Sequence, residues 1–324
     1  MGFRFDPHIP PGGYGWWYLD ALSADGSQGL TIIAFIGSVF SPYYRWAHRR
    51  SGQQVQPLNH CALNVAFYAR PGSGHPSGWT MTERGAADVA VSPDTFVVGS
   101  SRLHWDGQQL TLHIDERTAP WGRRLRGVVR LRPAMLLDTS YPLDAAGRHR
   151  WCPVSPHASV EVDLQQPGTR WSGTGYWDSN FGERPLAEDF VRWDWSRTEL
   201  AAGRSAVLYD AERTDGSRLA LALAYESDGR VAPFAAPALQ NLPRTAWLLQ
   251  RQTRSDSVAG AQALQTLEDG PFYSRTVLRT RLLGEDATAV HESLDMRRWV
   301  RPVVQAMLPF RMPRWAGQVG QAAR

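Results

Sequence analysis

The sequence predicts an all-β protein, built from antiparallel meanders that close into barrels or sandwiches. Three observations carry this. Several segments alternate apolar and polar residues with period two. Four Asp-Gly dipeptides fall beside such segments, and that dipeptide supplies the positive φ angles of tight hairpins. There is no βαβ rhythm and no Gly-rich phosphate loop. With 324 residues, 43% of them hydrophobic, the chain can fill two ordinary domains or one large one around a real core.

The elements follow in chain order. Residues 30–36 form a β-branched run bounded by glycines and read as a buried strand. Gly37 and Ser38 break the longest apolar stretch, 30–40, which is too short to span a bilayer. Segments 62–68 and 109–115 alternate partly, and 158–164 alternates cleanly. Strands are further expected at 205–209, 218–225 and 273–283, each alternating run with one wet face and one dry face. The turns are Asp25-Gly26, Asp106-Gly107, Asp215-Gly216 and Asp228-Gly229. A boundary is expected at Gln165-Gln166-Pro167-Gly168, giving β units at 1–165 and 166–296 and a tail at 297–324. The tail is basic, aromatic and short of acids, and Pro302, Pro309 and Pro313 limit its helix to 303–308. Its arginines and rings suit an element lying on a membrane surface; the alternative is a tail packed on the barrel.

Composition narrows the partners. A net charge of +4 with no basic stripe among stacking aromatics argues against nucleic acid. Two cysteines, Cys61 and Cys152, fit a reducing compartment better than a disulfide framework. No Cys/His spacing suggests a metal site, and no signal-peptide pattern opens the chain.

The sharpest chemical signal is Asp178 within Gly175-Tyr176-Trp177-Asp178-Ser179-Asn180. A carboxyl held among rings is desolvated, so its neutral form is favoured and it can donate a proton near neutral pH. In an extended segment Tyr176 and Asp178 share one face and Trp177 takes the other. His149 and Trp151 share a face in the same way, and His149 is a candidate for placing a water. Asp178 as a turn residue, His149 as a loop histidine and Trp151 as core packing are the plainer readings. Trp16-Trp17 and Trp193-Asp194-Trp195 repeat the theme of acids beside rings, with core packing as their default. Asp115 and Glu116 point opposite ways in a strand and form no glycosidase pair.

These blocks resemble the carotenoid 1,2-hydratases, also called hydroxyneurosporene synthases. The likeness lies in Gly15-Trp16-Trp17-Tyr18, residues 30–44, Asn59-His60-Cys61, Met81-Thr82-Glu83-Arg84, the Asp178 block and Trp193-Asp194-Trp195-Ser196-Arg197. It implies two lipocalin-like β domains and an enzyme without cofactor or metal. That enzyme adds water to the terminal isopropylidene double bond of acyclic carotenoids such as neurosporene or lycopene. It also implies a photosynthetic bacterium, with the protein peripheral to the cytoplasmic side of the inner, intracytoplasmic membrane. By the same resemblance Asp178 is the proton donor, with Tyr176, His149 and Trp151 as companions. Trp177, Trp16, Trp17, Trp193 and Trp195 become candidates for contacting the substrate. Trp177 is larger than the motif leads one to expect and would narrow the pocket. The N-terminus is short for the family, so a loop at the pocket is expected to be missing. A pigment carrier without chemistry, or another acid catalyst such as a terpenoid cyclase, stays open.

Overall fold

The computed structural model describes residues 3–257 and 259–315; the last part of the expected tail, 316–324, lies outside them. Twelve strands make the first sheet: β1 (Tyr14–Ser23), β2 (Gln28–Ile36), β3 (Cys61–Ala69), β4 (Gly78–Arg84), β5 (Val89–Val91), β6 (Thr95–Val98), β7 (Ser101–Trp105), β8 (Leu110–Arg117), β9 (Arg124–Pro133), β10 (Tyr141–Pro142), β11 (His149–Gln166) and β12 (Thr169–Gly182). Their order is β4-β3-β2-β1-β12-β11-β9-β8-β7-β6-β5, with β10 paired to β11, and the sheet curls into a nearly closed, lipocalin-like barrel. A second sheet follows: β13 (Phe190–Glu199), β14 (Ser205–Arg213), β15 (Arg218–Tyr225), β16 (Val231–Pro233), a separate pair β17 (Leu239–Leu242) and β18 (Arg251–Arg254), then β19 (Gln262–Asp269), β20 (Tyr273–Leu282) and β21 (Glu285–Asp295). Its order is β16-β15-β14-β13-β21-β20-β19. All described strand pairs in these sheets are antiparallel, as the sequence pattern requires.

The Asp-Gly pairs at 25–26, 106–107, 215–216 and 228–229 sit in hairpin turns, and their glycines have φ of +64°, +96°, +82° and +87°; Gly270 of a fifth pair, Asp269-Gly270, has no positive φ. In each of the four hairpin turns the Asp side chain accepts the backbone N–H two residues on, which closes the loop locally. Cys61 and Cys152 are both free thiols.

The expectation of one wet face per strand holds for β8, β9 and residues 158–164 of β11, and fails in other strands of the first sheet. β1, β2 and β3 are buried on both faces almost end to end, as is β12 from Gly175 to Asn180. The reason is that two cores share these strands. Trp17, Leu19, Ile32, Ala34 and Trp177 point into the barrel. Tyr14, Trp16, Tyr18, Phe35 and Tyr176 point the other way, onto Trp193, Trp195 and Tyr209 of the second sheet. A boundary at 165–168 is not where the sheets divide. Those residues form the hairpin between β11 and β12, which pair along their length. The chain leaves the first sheet only after Gly182, so Tyr176 and Asp178 belong to that sheet.

Among the described residues four α-helices accompany the sheets: α1 (Pro42–Ser51), α2 (Leu186–Asp189), α3 (Met296–Trp299) and α4 (Pro302–Arg311). Helix α4 continues through Pro309, where the sequence reading stopped it at 308. A proline in the last turn removes a single helical hydrogen bond, and Val304, Leu308 and Met312 hold the segment down by burial.

Between the sheets runs a buried polar seam. Asp20 of β1 pairs with Arg197 of β13 and accepts from the Tyr18 hydroxyl at 2.8 Å. Thr31 of β2 accepts from Arg275 of β20, and Tyr68 of β3 donates to Glu268 of β19 at 3.2 Å. Removing one partner from such a buried pair leaves an uncompensated charge. Arg197→Met is expected to cost about 3–5 kcal/mol by denaturant unfolding. The double variant Asp20→Asn/Arg197→Met should cost clearly less than the sum of the two single changes.

Candidate active site

The site lies where the outer face of the barrel meets the second sheet. On β12 the pleat turns Tyr176, Asp178 and Asn180 toward the second sheet and Trp177 and Ser179 away from it. β11 runs beside it with Trp151 opposite Asn180. Register shifts between Pro153 and Ala158 bend the pair just beyond the motif, a common device for re-aiming side chains at a site.

The Trp151 indole N–H donates to Asp178 Oδ2 at 2.7 Å, and the Tyr176 hydroxyl donates to the same atom at 2.8 Å. Asp178 Oδ1 is buried and has no hydrogen-bond partner. Burial pushes this carboxyl up to about 8; the two donors pull against it, and the Glu292 and Asp20 carboxylates add to the rise. With both donors on Oδ2, the proton of the neutral acid belongs on Oδ1.

Asp178 lines a small cavity walled by aromatic side chains of both sheets, Trp16, Tyr18, Trp193, Trp195 and Tyr209 among them. A second cavity shares Ile33, Phe35, Phe40 and Tyr273 with the first and runs on to Trp79, Met81, Leu308 and Met312. The alternation of β2 explains this: Ile32, Ala34 and Ile36 fill the barrel, while Ile33 and Phe35 wall both cavities. Two adjoining, mostly apolar cavities thus lie between helix α4 and the Asp178 carboxyl.

The candidate residues are thereby sorted. Asp178, Tyr176 and Trp151 come together. Trp16, Trp193 and Trp195 line the cavity. Trp17 and Trp177 do not: both are buried in the barrel core, Trp17 against Phe5 and Phe96, Trp177 against Phe3 and Trp105. Trp177 therefore does not narrow the cavity. Trp151 is fully buried and meets Asp178 through its N–H, so its ring face is not presented to a ligand there.

His149 is placed close by but is committed elsewhere. Its Nδ1 bonds the Tyr14 hydroxyl at 2.9 Å and its Nε2 bonds Asp189 Oδ2 at 2.7 Å. Both ring nitrogens are used, which leaves none to hold a water. Burial lowers its basicity, and Asp189 is itself gripped by Arg184. Gly182 makes this contact possible, since a Cβ there would lie 2.2 Å from the Tyr14 ring and 2.7 Å from His149 Nδ1. The sequence reading also passed over two polar cavity residues, Asn180 and Glu292. Asn180 stood inside the quoted motif. Glu292 stands between Val290 and Leu294 on one face of β21, a strand buried on both faces, and no alternation in the sequence marks it.

The elevated carboxyl has a thermodynamic signature. The native state keeps a proton on Asp178 that the unfolded chain, with an ordinary aspartate near 3.9, gives up. Stability from this group is present below about pH 4 and is lost as pH rises toward about 8. Asp178→Asn carries no such charge. The stability of wild type relative to Asp178→Asn is therefore expected to fall between pH 5 and 8 in parallel denaturant titrations.

The family model described as carotenoid hydratase CrtC matches residues 32–321. The acyclic carotenoid 1,2-hydratase of Thiocapsa roseopersicina is 51% identical over 317 residues, covering 98% of this chain and 76% of that protein. The protein of the same name from Rubrivivax gelatinosus is 48% identical over 314 residues, covering 97% and 76%. Among solved structures, an AttH from Nitrosomonas europaea aligns with a TM-score of 0.61 at 17% identity, covering 91% of this chain and 93% of that one. CghA aligns with a TM-score of 0.51 at 14% identity, covering 91% and 94%. These two likenesses are of fold alone. The match to the family model over most of the sequence, together with relatives near half identity, makes this chain a member of the carotenoid hydratase CrtC family.

Proposed function

We propose that the protein adds water across the terminal isopropylidene double bond of an acyclic carotenoid such as neurosporene or lycopene, giving a 1-hydroxy carotenoid. The observation that carries this is a buried carboxyl, pushed up to about 8, whose Oδ1 has no partner and which lines a cavity walled by rings. Asp178 Oδ1–H delivers its proton to the less substituted alkene carbon. The π electrons form the new C–H bond, and a tertiary cation remains on the other carbon. The Asp178 carboxylate left behind is stabilised by the Trp151 N–H and Tyr176 O–H, whose hydrogen bonds strengthen as the acceptor gains charge. The negative faces of Trp16, Trp193 and Trp195 suit the cation. Water then forms the C–O bond and loses a proton. No net oxidation or reduction occurs, so side chains and water suffice.

Incubation with lycopene in heavy-oxygen water, followed by chromatography and mass spectrometry, tests this. Labelled hydroxyl is expected in the product, and Asp178→Asn should abolish it while still binding polyene. Uptake of lycopene without product would favour a carrier. Activity of the wild type should fall as pH rises past about 8, where the donor ionises. Trp151→Phe keeps a ring but loses the N–H; a hydrogen bond to a charged group is worth about 1.5–3 kcal/mol, so turnover should drop about 10- to 150-fold.

We also propose that these cavities are fed from a membrane surface, since the substrate class is fully apolar. No described helix is long and apolar enough to cross a membrane. Helix α4 instead buries Val304 and Leu308, the latter at the second cavity, and turns Val303, Met307 and Phe310 outward, at 65%, 40% and 81% exposure. Arg297, Arg301, Arg311 and Arg314 surround it, a composition suited to anionic headgroups. The triple change Val303→Ser/Met307→Ser/Phe310→Ser should reduce sedimentation with anionic liposomes. It should slow hydration of membrane-embedded carotenoid more than that of detergent-dispersed carotenoid. Equal losses would indicate misfolding, and no loss would discard the membrane contact.

A further inference from the structure

Capture of the cation by water needs a group to orient that water and accept its proton, and His149 has no free nitrogen for the task. On the reading of Asp178 as the proton donor, we propose that Glu292 is the base that takes the water's proton, with the Asn180 amide as the second contact to that water.

Glu292 stands on β21 opposite Trp195, across the same cavity that Asp178 and Asn180 line. Its side chain keeps 12% of its surface accessible. The two acids of this cavity have opposite partners. Asp178 meets only neutral donors and has no hydrogen-bonded cation. Glu292 pairs through Oε1 with Arg275, which is 1% exposed. Arg275 is fixed in turn by the Tyr273 hydroxyl at 2.8 Å, by Thr31 and by the ring of Tyr18 at 5.2 Å. A guanidinium remains charged, so it favours the carboxylate form of Glu292. Burial works the other way and raises the carboxyl, which strengthens it as a base. Burial raises both carboxyls, and only Glu292 has a fixed guanidinium against it; two carboxyl groups that face different charges are the usual arrangement for an acid and a base in one site. The Asn180 Nδ2 is buried without a hydrogen-bond partner, which is costly unless something in the cavity accepts from it. A water held between Asn180 and Glu292 meets both needs.

The step balances. The water oxygen gives an electron pair to the tertiary cation and forms the C–O bond. The resulting oxonium loses one proton to Glu292, which becomes neutral. Asp178 has become a carboxylate by the same turnover. Proton transfer from Glu292 to Asp178 through water restores both, and the net change is alkene plus water to alcohol.

Glu292→Gln separates the two halves of the reaction. The purified variant is incubated with lycopene in heavy water, and both hydroxylated product and deuterium at the vinylic carbon of recovered lycopene are measured. A cation that is not captured by water returns a proton to Asp178 and leaves deuterium behind. Hydration is expected to fall about 10²-fold or more, while deuterium exchange stays at or above the wild-type level. Asp178→Asn should lose both. Hydration within threefold of wild type overturns the assignment, and so does parallel loss of hydration and exchange in a variant that melts as wild type does. If Glu292→Gln does not fold, Glu292→Gln/Arg275→Gln removes the stranded charge. Restored hydration in that folded variant makes Glu292 only a partner for Arg275; exchange without hydration supports the base. Absence of both hydration and exchange in the wild type would instead count against the Asp178 reading itself.

Discussion

Desolvation of one carboxyl group is the constraint on which the rest of this structure turns. Closure between two sheets pushes the Asp178 carboxyl up to about 8, against the pull of Trp151 and Tyr176, which donate to one oxygen while nothing bonds the other. That environment requires strands with no wet face. β1, β2 and β12 supply it by serving the barrel core with one set of side chains and the inter-sheet core with the other. A water-exposed barrel surface at this position would let Asp178 ionise, and the proton donor of the proposed reaction would be lost.

Holding two sheets in one register around an apolar cavity is a separate problem, because apolar contacts alone are non-directional. The chain places directional contacts on both flanks of the cavity. On one side Asp20 meets Arg197 and Thr31 meets Arg275. On the other, Tyr14, His149 and Asp189 connect β1, β11 and α2. Buried ion pairs of this kind add little net stability against an apolar replacement, so their value here lies in setting which residues face each other. The network on the Arg275 side also ends on Glu292, a cavity residue, so the seam and the site share a member.

Much of the fold was legible from local chemistry. The Asp-Gly turns acted through two-residue hydrogen bonds that depend on nothing distant. Alternation in residues 158–164 survived because that end of β11 does have a wet face. β13 and β21 were not read as strands, since burial on both faces erases the period in Trp193-Asp194-Trp195, and polar residues such as His291 and Ser293 are buried in β21. Parity along β12 correctly set Tyr176 and Asp178 against Trp177. It could not say which face carried the cavity, so Trp17 and Trp177 were counted with the wrong core. His149 was legible as a neighbour of the site, but its role depends on Tyr14 and Asp189, 135 and 40 residues away. Glu292 carries no motif and is brought to Asp178 only by the stacking of the sheets.

The central claim is that Asp178 is a neutral acid at neutral pH. Infrared difference spectroscopy of wild type against Asp178→Asn measures this directly, without substrate. The account requires the carbonyl stretch of a protonated, buried carboxylic acid at neutral pH, absent from Asp178→Asn and fading as pH rises past about 8. A carboxylate band at neutral pH in its place would contradict it.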